Sequence, residues 1–172
     1  MEMLIKKSAL ALLVMTAAYN TAVAAPVNIN ISGTVVASPC TVNNSSNDLT
    51  VNLGTTIQAS TLEAAGAGTT PIPFDLSLTD CPVGTSNVTV TFTGTPAAAP
   101  QSDMYLNTGD ATPLAVELSS DGTVLGHNST LSQPVLTDKT VTYELSARAV
   151  TSTGSVAPGS IVSVVQANFT YN

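Results

Sequence analysis

The side chains that could do chemistry in this chain are a pair of cysteines and a single histidine. Cys40 and Cys81 are the only cysteines among the 172 residues, and His127 is the only histidine. In an oxidising compartment an isolated cysteine pair is most simply one disulfide. It would close a loop of roughly 40 residues and stabilise the fold by about 4 kcal/mol. A metal site needs more ligands than two thiols, and His127 lies in a loop-like Gly-His-Asn-Ser-Thr stretch, so we expect neither a metal nor a cofactor.

The carboxylates do not form a recognisable catalytic set. Eleven acidic residues are scattered singly along the chain, and no nucleophile elbow, zinc-protease motif or glycine-rich phosphate loop accompanies them. Two carboxylates that met in space could hydrolyse a glycosidic bond, but nothing in their spacing indicates such a pair. The sequence therefore predicts a protein that is not an enzyme.

The scarcity of charged residues and the excess of acidic over basic ones limit the kinds of molecule that the protein could bind. Charged residues make up 9% of the chain, far below the usual proportion of about a quarter. Beyond residue 24 the only basic residues are Lys139 and Arg148, against all the acidic residues except Glu2. This acidic balance argues against nucleic acid and anionic membrane surfaces as partners. Two interpretations of the Thr-, Ser-, Asn- and Ala-rich surface stay open: a simple soluble β-protein, or a surface that packs beside copies of itself.

The first 24 residues are typical of a secretory signal peptide. Lys6 and Lys7 form a basic start, the apolar run 8–18 is too short to span a bilayer, and Ala22-Val23-Ala24 offers a cleavage site. The mature chain is expected to begin at Ala25. No later apolar run is long enough for a membrane span, so we expect a soluble or assembled product that is not anchored directly in a membrane.

The rest of the chain is a series of short runs in which apolar and polar residues alternate. Clusters of Pro and Gly separate the runs, and Ala59–Gly66 could form one short helical turn. Strands are predicted at 50–53, 72–78, 87–93, 114–118, around Val124 after the Asp121-Gly122 turn, 141–149 and 161–171. Several short strands with regular turn signals indicate an all-β sandwich in one domain.

One further alternating run precedes the domain as an N-terminal arm. Between Pro26 and Val36, alternate residues would lie on one face of a strand: Val27, Ile29, Ile31, Gly33 and Val35. No tight turn follows that would fold this strand onto the next one. The arm must therefore pair with a sheet, either in its own domain or in another chain.

These features together resemble the pilin subunits of chaperone–usher fimbriae of the type 1 kind. The chain has a signal peptide, a Gly-bearing arm, the run from Val35 to Val42 around Cys40, and a second Cys at the end of the run from Phe74 to Cys81. It ends in an alternating strand with Gly159 before it and Tyr171 in the penultimate position. The run 81–86 is most similar to a minor subunit of the tip fibrillum, and the major rod subunit is the next candidate.

The resemblance implies an immunoglobulin-like sandwich that lacks its last strand and so has an open groove. It implies a donor-strand arm at residues 25–37 and a pilin domain at 38–172. The arm would fill the groove of a neighbouring subunit through its residues at alternate positions, Val27, Ile29, Ile31, Gly33 and Val35. The C-terminal strand would line the chain's own groove and pair with a periplasmic chaperone, using Gly159, Ile161, Val165, Ala167, Phe169 and Tyr171. Assembly would take place at an outer-membrane usher, and the product would be a cell-surface fimbrium that supports adhesion.

Three other interpretations remain. The chain could be a fimbrial adhesin with a receptor pocket, or a self-contained periplasmic β-sandwich whose arm pairs within its own sheet. The arm could also fold back into the chain's own groove. Solution behaviour separates them, because a free subunit with an open groove is prone to aggregate without a chaperone.

Overall fold

The computed structural model describes residues 28–34, 38–42, 46 and 48–172. The predicted signal peptide, the domain boundary after residue 37, and the arm residues Val27 and Val35 lie outside this part of the chain. The chain divides into two units, Met1–Thr34 and Val35–Asn172. In the first unit, residues 28–34 form no strand. The strand predicted for the arm is therefore not formed across these residues, since a strand exists only where a partner completes its hydrogen bonds.

The second unit is built from two antiparallel sheets. Its strands are β1 (Thr41–Val42), β2 (Ile72–Thr79), β3 (Asn87–Gly94), β4 (Tyr105–Leu106), β5 (Ala115–Ser120), β6 (Thr123–Val124), β7 (Thr130–Pro134), β8 (Val141–Val150) and β9 (Val165–Tyr171). One sheet has the order β1-β2-β8-β5-β4, with β6 beside β5, and the other has the order β7-β3-β9. A 3₁₀ helix at Ala59–Leu62 buries Leu62, which confirms the predicted helical turn in shorter form. Within the described residues, no helix is long and apolar enough to cross a membrane.

Alternation in the sequence becomes alternation in burial along the central strands. In β3 the residues Val88, Val90 and Phe92 are buried, while their neighbours lie on the outer face. β8 repeats the pattern, beginning with Val141 and Tyr143. Asp121 and Gly122 both have positive φ, at 47° and 75°, as the tight turn between β5 and β6 requires. The predicted strands at 72–78, 87–93, 114–118 and 141–149 and the hairpin at Asp121-Gly122 are thus confirmed.

Two predictions about strands were wrong, and three strands were not predicted. Residues 50–53 form no strand, and the C-terminal strand begins at Val165 rather than Ile161. The later start follows from the length of β3, because Gly94, its last residue, pairs with Val165. The two-residue strands β1 and β4 were not predicted, and neither was β7, whose polar Thr-Leu-Ser-Gln-Pro sequence is typical of an edge strand.

The core consists of two apolar clusters. The larger lies between the two sheets and includes Leu78, Val90, Tyr143 and the disulfide-bonded Cys40 and Cys81. The second cluster contains Leu62, Ala111, Leu114, Ala149 and Val156, with Leu53, Ile57 and Ile161 packed against it.

Candidate subunit-binding groove

The free edge of β9 is the most distinctive feature of the fold. β9 pairs with β3 on one side, and no strand of the described residues lies on its other side. Asn87 and Asn172 exchange two backbone hydrogen bonds of 3.1 and 3.0 Å. Because such pairs alternate along an antiparallel ladder, the backbone groups of every second β9 residue must face the free edge. Those residues are Val165, Ala167, Phe169 and Tyr171.

The same four residues also turn their side chains toward the larger core cluster. All four are only half-buried, whereas Val88 and Val90 on the adjacent strand have no exposed surface. The sandwich is therefore incomplete along this edge, where an unpaired backbone row lies beside uncovered apolar side chains. We call this surface the β9 groove.

The segment before the 3₁₀ helix resembles a strand without a partner, and its Leu53 packs against the second cluster, as Ile161 does. Val51 and Leu53 are half-buried and their neighbours Thr50 and Asn52 are exposed, which is the burial pattern of a strand. The segment nevertheless has no ladder partner. Residues 50–53 therefore show the predicted alternation of buried and exposed side chains but lack the predicted hydrogen-bonded partner strand.

Two glycines and an asparagine fix where the C-terminal segment enters the groove. A Cβ on Gly159 would lie 2.5 Å from the backbone nitrogen of Ala111, so the backbones touch there. Asn107 Oδ1 accepts hydrogen bonds from the N–H groups of Val162 and Gly109, at 2.8 and 3.0 Å. Its Nδ2 donates to the carbonyl of Ala111 at 2.6 Å. The sequence analysis did not identify Asn107, although the Asn-Thr-Gly-Asp run is a turn signal.

Beside this entry point lies a cavity of about 400 Å³. Ile161 lines it together with Ile57, Leu62, Leu114 and Val156 of the second cluster. The cavity therefore continues the apolar lining of the groove past the start of β9.

Aromatic side chains organise the opposite end of β9. Phe169 lies between Tyr143 and Tyr171, with ring centroids 6.4 and 6.5 Å apart. Tyr143 donates its hydroxyl hydrogen bond to the Val88 carbonyl at 2.7 Å. Burial raises the pKa of Tyr171, and the nearby Cys40 backbone opposes that rise.

The predicted groove residues lie on one side of the C-terminal segment. Ile161 packs on the second cluster, and Val165, Ala167, Phe169 and Tyr171 pack on the larger one. Gly159 makes the close backbone approach just before them. That they bind a donor strand or a chaperone stays a prediction.

The described donor residues of the arm are exposed. Ile29 is 81% and Ile31 92% accessible, and a Cβ on Gly33 would meet nothing within 4 Å. That Gly33 and the other arm residues enter the groove of another subunit stays a prediction.

The residues singled out for chemistry have structural roles. Cys40 and Cys81 form the disulfide, and His127 Nδ1 accepts a 3.3 Å hydrogen bond from the Gly94 N–H. Among the described residues there is no group of three or more His, Cys, Asp or Glu side chains placed to hold a metal ion.

Comparison with known proteins agrees with this architecture. A family model described as "Fimbrial protein" matches residues 29–172. The chain is 38% identical over 151 residues to Protein FimG of Escherichia coli (strain K12), a match that covers 87% of each chain. It is 35% identical over 145 residues to the S-fimbrial adhesin protein SfaS of Escherichia coli (strain 536), with 83% of each covered. The crystal structure of the P pilus rod subunit PapA superposes with a TM-score of 0.65 at 23% identity, covering 78% of this chain and 100% of that one, which confirms the predicted pilin fold.

Proposed function

The chain belongs to the fimbrial protein family, and we propose that it polymerises by lending its N-terminal arm to the β9 groove of a neighbouring subunit. It is a structural subunit of a cell-surface fimbria, and its family is one of pilins rather than enzymes. Its own β9 groove would take the arm of another subunit. Donor-strand complementation in pilins is a known case of β-strand addition.

The observation that carries the proposal is the combination found on β9. The residues that present unpaired backbone groups to the free edge also hold the half-buried apolar side chains. An added strand with apolar residues at every second position would satisfy both at once. Burying four such side chains contributes roughly 1.5–3 kcal/mol each, and each ladder hydrogen bond adds about 0.5–1.5 kcal/mol. Joined subunits would therefore separate very slowly.

The segment at residues 50–53 supports the same mode of binding. It keeps the burial pattern of a strand without a partner. Because Leu53 and Ile161 pack against the same cluster, a strand added beside the C-terminal segment would lie near Leu53 and would offer residues 50–53 a partner. The failed strand prediction is thus what an incomplete sandwich would produce.

We further propose the route by which the subunit reaches the fibre. Residues 1–24 would direct export, and a periplasmic chaperone would cover the β9 groove until the usher exchanges it for a donor arm. An uncovered groove of this kind exposes both sheet edge and core, which favours aggregation. Among positions in the fibre we favour a minor subunit of the tip fibrillum, a placement that the likeness to FimG supports.

A receptor-binding role is the second candidate, because one relative is named an adhesin. The two functions separate in an assembly assay. An adhesin role predicts that fibres lacking this subunit keep their length but lose receptor binding, whereas a structural role predicts shortened or absent fibres.

The donor role is tested by a pair of charge substitutions in the arm. Ile31→Asp places a carboxylate on the face expected to enter the groove, and Asn30→Asp places one on the opposite face. Transfer of chaperone-bound subunit onto an acceptor should fall at least about tenfold for Ile31→Asp, since burying an unpaired charge is strongly unfavourable, and should change little for Asn30→Asp. Equal effects of the two substitutions would contradict insertion of one face.

Deleting residues 25–36 gives a complementary test. The truncated subunit should still accept a donor peptide in its own groove yet fail to cap the next one. Transfer onto an acceptor at the normal rate would refute the donor role of the arm.

A further inference from the structure

Three exposed apolar side chains lie outside the β9 groove, beside the start of β9. Val162 is 48% exposed, Val164 71% and Leu106 39%. The two valines alternate with the groove-facing residues of the C-terminal segment, so a strand in the groove would leave them uncovered. Hydrogen bonds hold this segment beside the residues that follow Leu106: the Thr108 N–H donates to the Val162 carbonyl, and the Val162 N–H donates to Asn107 Oδ1, both at 2.8 Å. We call these three side chains the entry patch.

Two further exposed apolar side chains lie where the arm joins the domain. Val83 is 91% exposed and Leu136 55%. Val83 lies two residues after Cys81, whose disulfide partner Cys40 is where the arm enters the domain. The Cys81 N–H donates to the Lys139 carbonyl at 3.1 Å, and the Lys139 N–H donates to the Leu136 carbonyl at 2.9 Å, so the two turns are neighbours. We call Val83 and Leu136 the root patch.

The two patches lie at opposite ends of β9. Val164, in the entry patch, directly precedes the strand. Asn172 directly follows it, and its carbonyl accepts hydrogen bonds from the N–H groups of Ser86 and Asn87, which end the turn that holds Val83. The strand between the two patches is roughly 20 Å long. Each patch is too far from the other to be covered by it within one molecule.

A donor arm would bring the root patch of its own subunit to the entry patch of the acceptor. Every strand pairing in both sheets is antiparallel, and an arm that continues this pattern beside β9 places its C-terminal end at the start of β9. Val35 and Cys40 can be at most roughly 18 Å apart along the chain, so the donor domain must lie close to the entry patch. A parallel arm would bring it instead to the end of β9, where the acceptor's own arm leaves. A head-to-tail contact that repeats along a fibre needs its two surfaces at opposite ends of the subunit.

We propose that the entry patch binds the root patch of a second copy of this chain, so that adjacent domains touch directly in addition to sharing the arm. The inference rests on the proposed donor-strand function. Both surfaces are apolar and both belong to this chain, and their contact removes exposed apolar area from water. The contact can be small, because the inserted arm holds the two domains together and makes the second binding event intramolecular. It would restrict the angle between adjacent domains and so stiffen the joint that the short linker forms.

The test is a competition for the groove of the full-length subunit in its chaperone complex. One competitor is a second full-length copy whose own groove is already filled by a synthetic peptide of residues 25–37, and the other is that peptide alone, which has the arm but no root patch. The readout is the ratio of joined to peptide-filled acceptor. Val164→Asp in the acceptor should lower this ratio at least about tenfold, because the contact would remove an unpaired carboxylate from water. Val83→Asp in the donor should lower it likewise, and a Val83→Lys donor should restore most of the loss in the Val164→Asp acceptor, because the two charges attract.

Ser132→Asp is the matched control, since it adds the same charge at an exposed position in the middle of β7, and it should leave the ratio unchanged in donor or acceptor. Uptake of the free peptide shows that each acceptor variant is folded. A ratio that ignores Val164→Asp and Val83→Asp, or falls equally with Ser132→Asp, would overturn the inference. So would an acceptor that takes the peptide but never a second copy, although the donor-strand function would then stand. If neither the peptide nor the second copy displaces the chaperone, the donor-strand function itself fails, which is a separate and recognisable result.

Discussion

At the scale of single residues, Arg148 and Glu117 stand out because they are paired directly across β5 and β8. The guanidinium donates two hydrogen bonds to the carboxylate, Nε to Oε1 at 2.7 Å and Nη2 to Oε2 at 2.9 Å. The Glu117 side chain is 7% exposed and that of Arg148 37%. The carboxylate raises the pKa of Arg148. Although the chain has few basic residues, the Arg148 guanidinium supplies both hydrogen bonds to the nearly buried Glu117 carboxylate.

We predict that Arg148→Met lowers the free energy of unfolding by roughly 2 kcal/mol, because Glu117 is left buried without its partner. The change is measured by urea unfolding of the subunit with a donor-strand peptide bound in its β9 groove. Lys139→Asn is the matched control, since it removes the same charge from an exposed turn whose φ of 63° suits Asn. Similar losses from both substitutions would argue that net charge, not the pair, is responsible.

Tyr105 and Tyr143 give the fold a pH limit on the alkaline side. Burial raises the pKa of each from 10.0 to about 12. A raised pKa means that the folded state holds the phenolic proton more tightly than the unfolded chain does. The stabilisation is therefore complete below pH 10 and is lost as the pH rises through 12.

We expect the free energy of unfolding to fall between pH 10 and 12, by up to about 3 kcal/mol for each of these tyrosines. Denaturant titrations across this range measure it, and Tyr143→Phe should flatten the dependence. An unchanged pH profile in Tyr143→Phe would show that its hydroxyl does not take part.

At the scale of elements, the groove depends on how the chain approaches β9. Gly109 and Gly159 allow the backbone of loop 107–111 to touch that of the segment before β9. The backbone N–H of Val162 then donates a hydrogen bond to Asn107 Oδ1. Up to Val162 the C-terminal segment makes its hydrogen bonds with loop 107–111, and from Val165 onward it pairs with β3 instead. The edge left free is thus set by short-range backbone contacts as well as by the apolar pattern.

Gly159→Ala should lower both the yield of folded subunit and its unfolding midpoint, because the new Cβ would lie 2.5 Å from the Ala111 nitrogen. Thermal unfolding of the chaperone complex measures the shift. Gly33→Ala is the matched control for folding, since nothing lies within 4 Å of its Cβ position. An unchanged midpoint for Gly159→Ala would mean that the two segments separate without loss.

At the scale of the whole molecule, the scarcity of basic residues limits the number of sites at which trypsin can cleave the chain. Beyond residue 24 trypsin can cut only after Lys139 and Arg148. Arg148 lies within β8, which is paired on both sides, by β2 and β5. Cleavage requires an accessible, locally unfolded backbone.

We predict that trypsin leaves the peptide bond after Arg148 intact in the folded subunit and cuts at most after Lys139. Mass spectrometry of the digest decides this, with the reduced and denatured chain, which should be cut at both sites, as control. Early cleavage after Arg148 would show that β8 opens readily, contrary to its central place in the sheet.

The amino-acid sequence was enough to predict the strands that bury one face, the Cys40–Cys81 disulfide and the likeness to fimbrial pilins. These depend on local alternation and on residue types, which are visible along the chain. Three features came from the folded structure: β9 begins at Val165, residues 50–53 have no ladder partner, and Asn107 accepts a hydrogen bond from Val162. The pairing of Glu117 with Arg148 across two strands is a fourth. Each of these depends on which distant segments lie side by side and where one strand ends against another, and no local pattern contains that information.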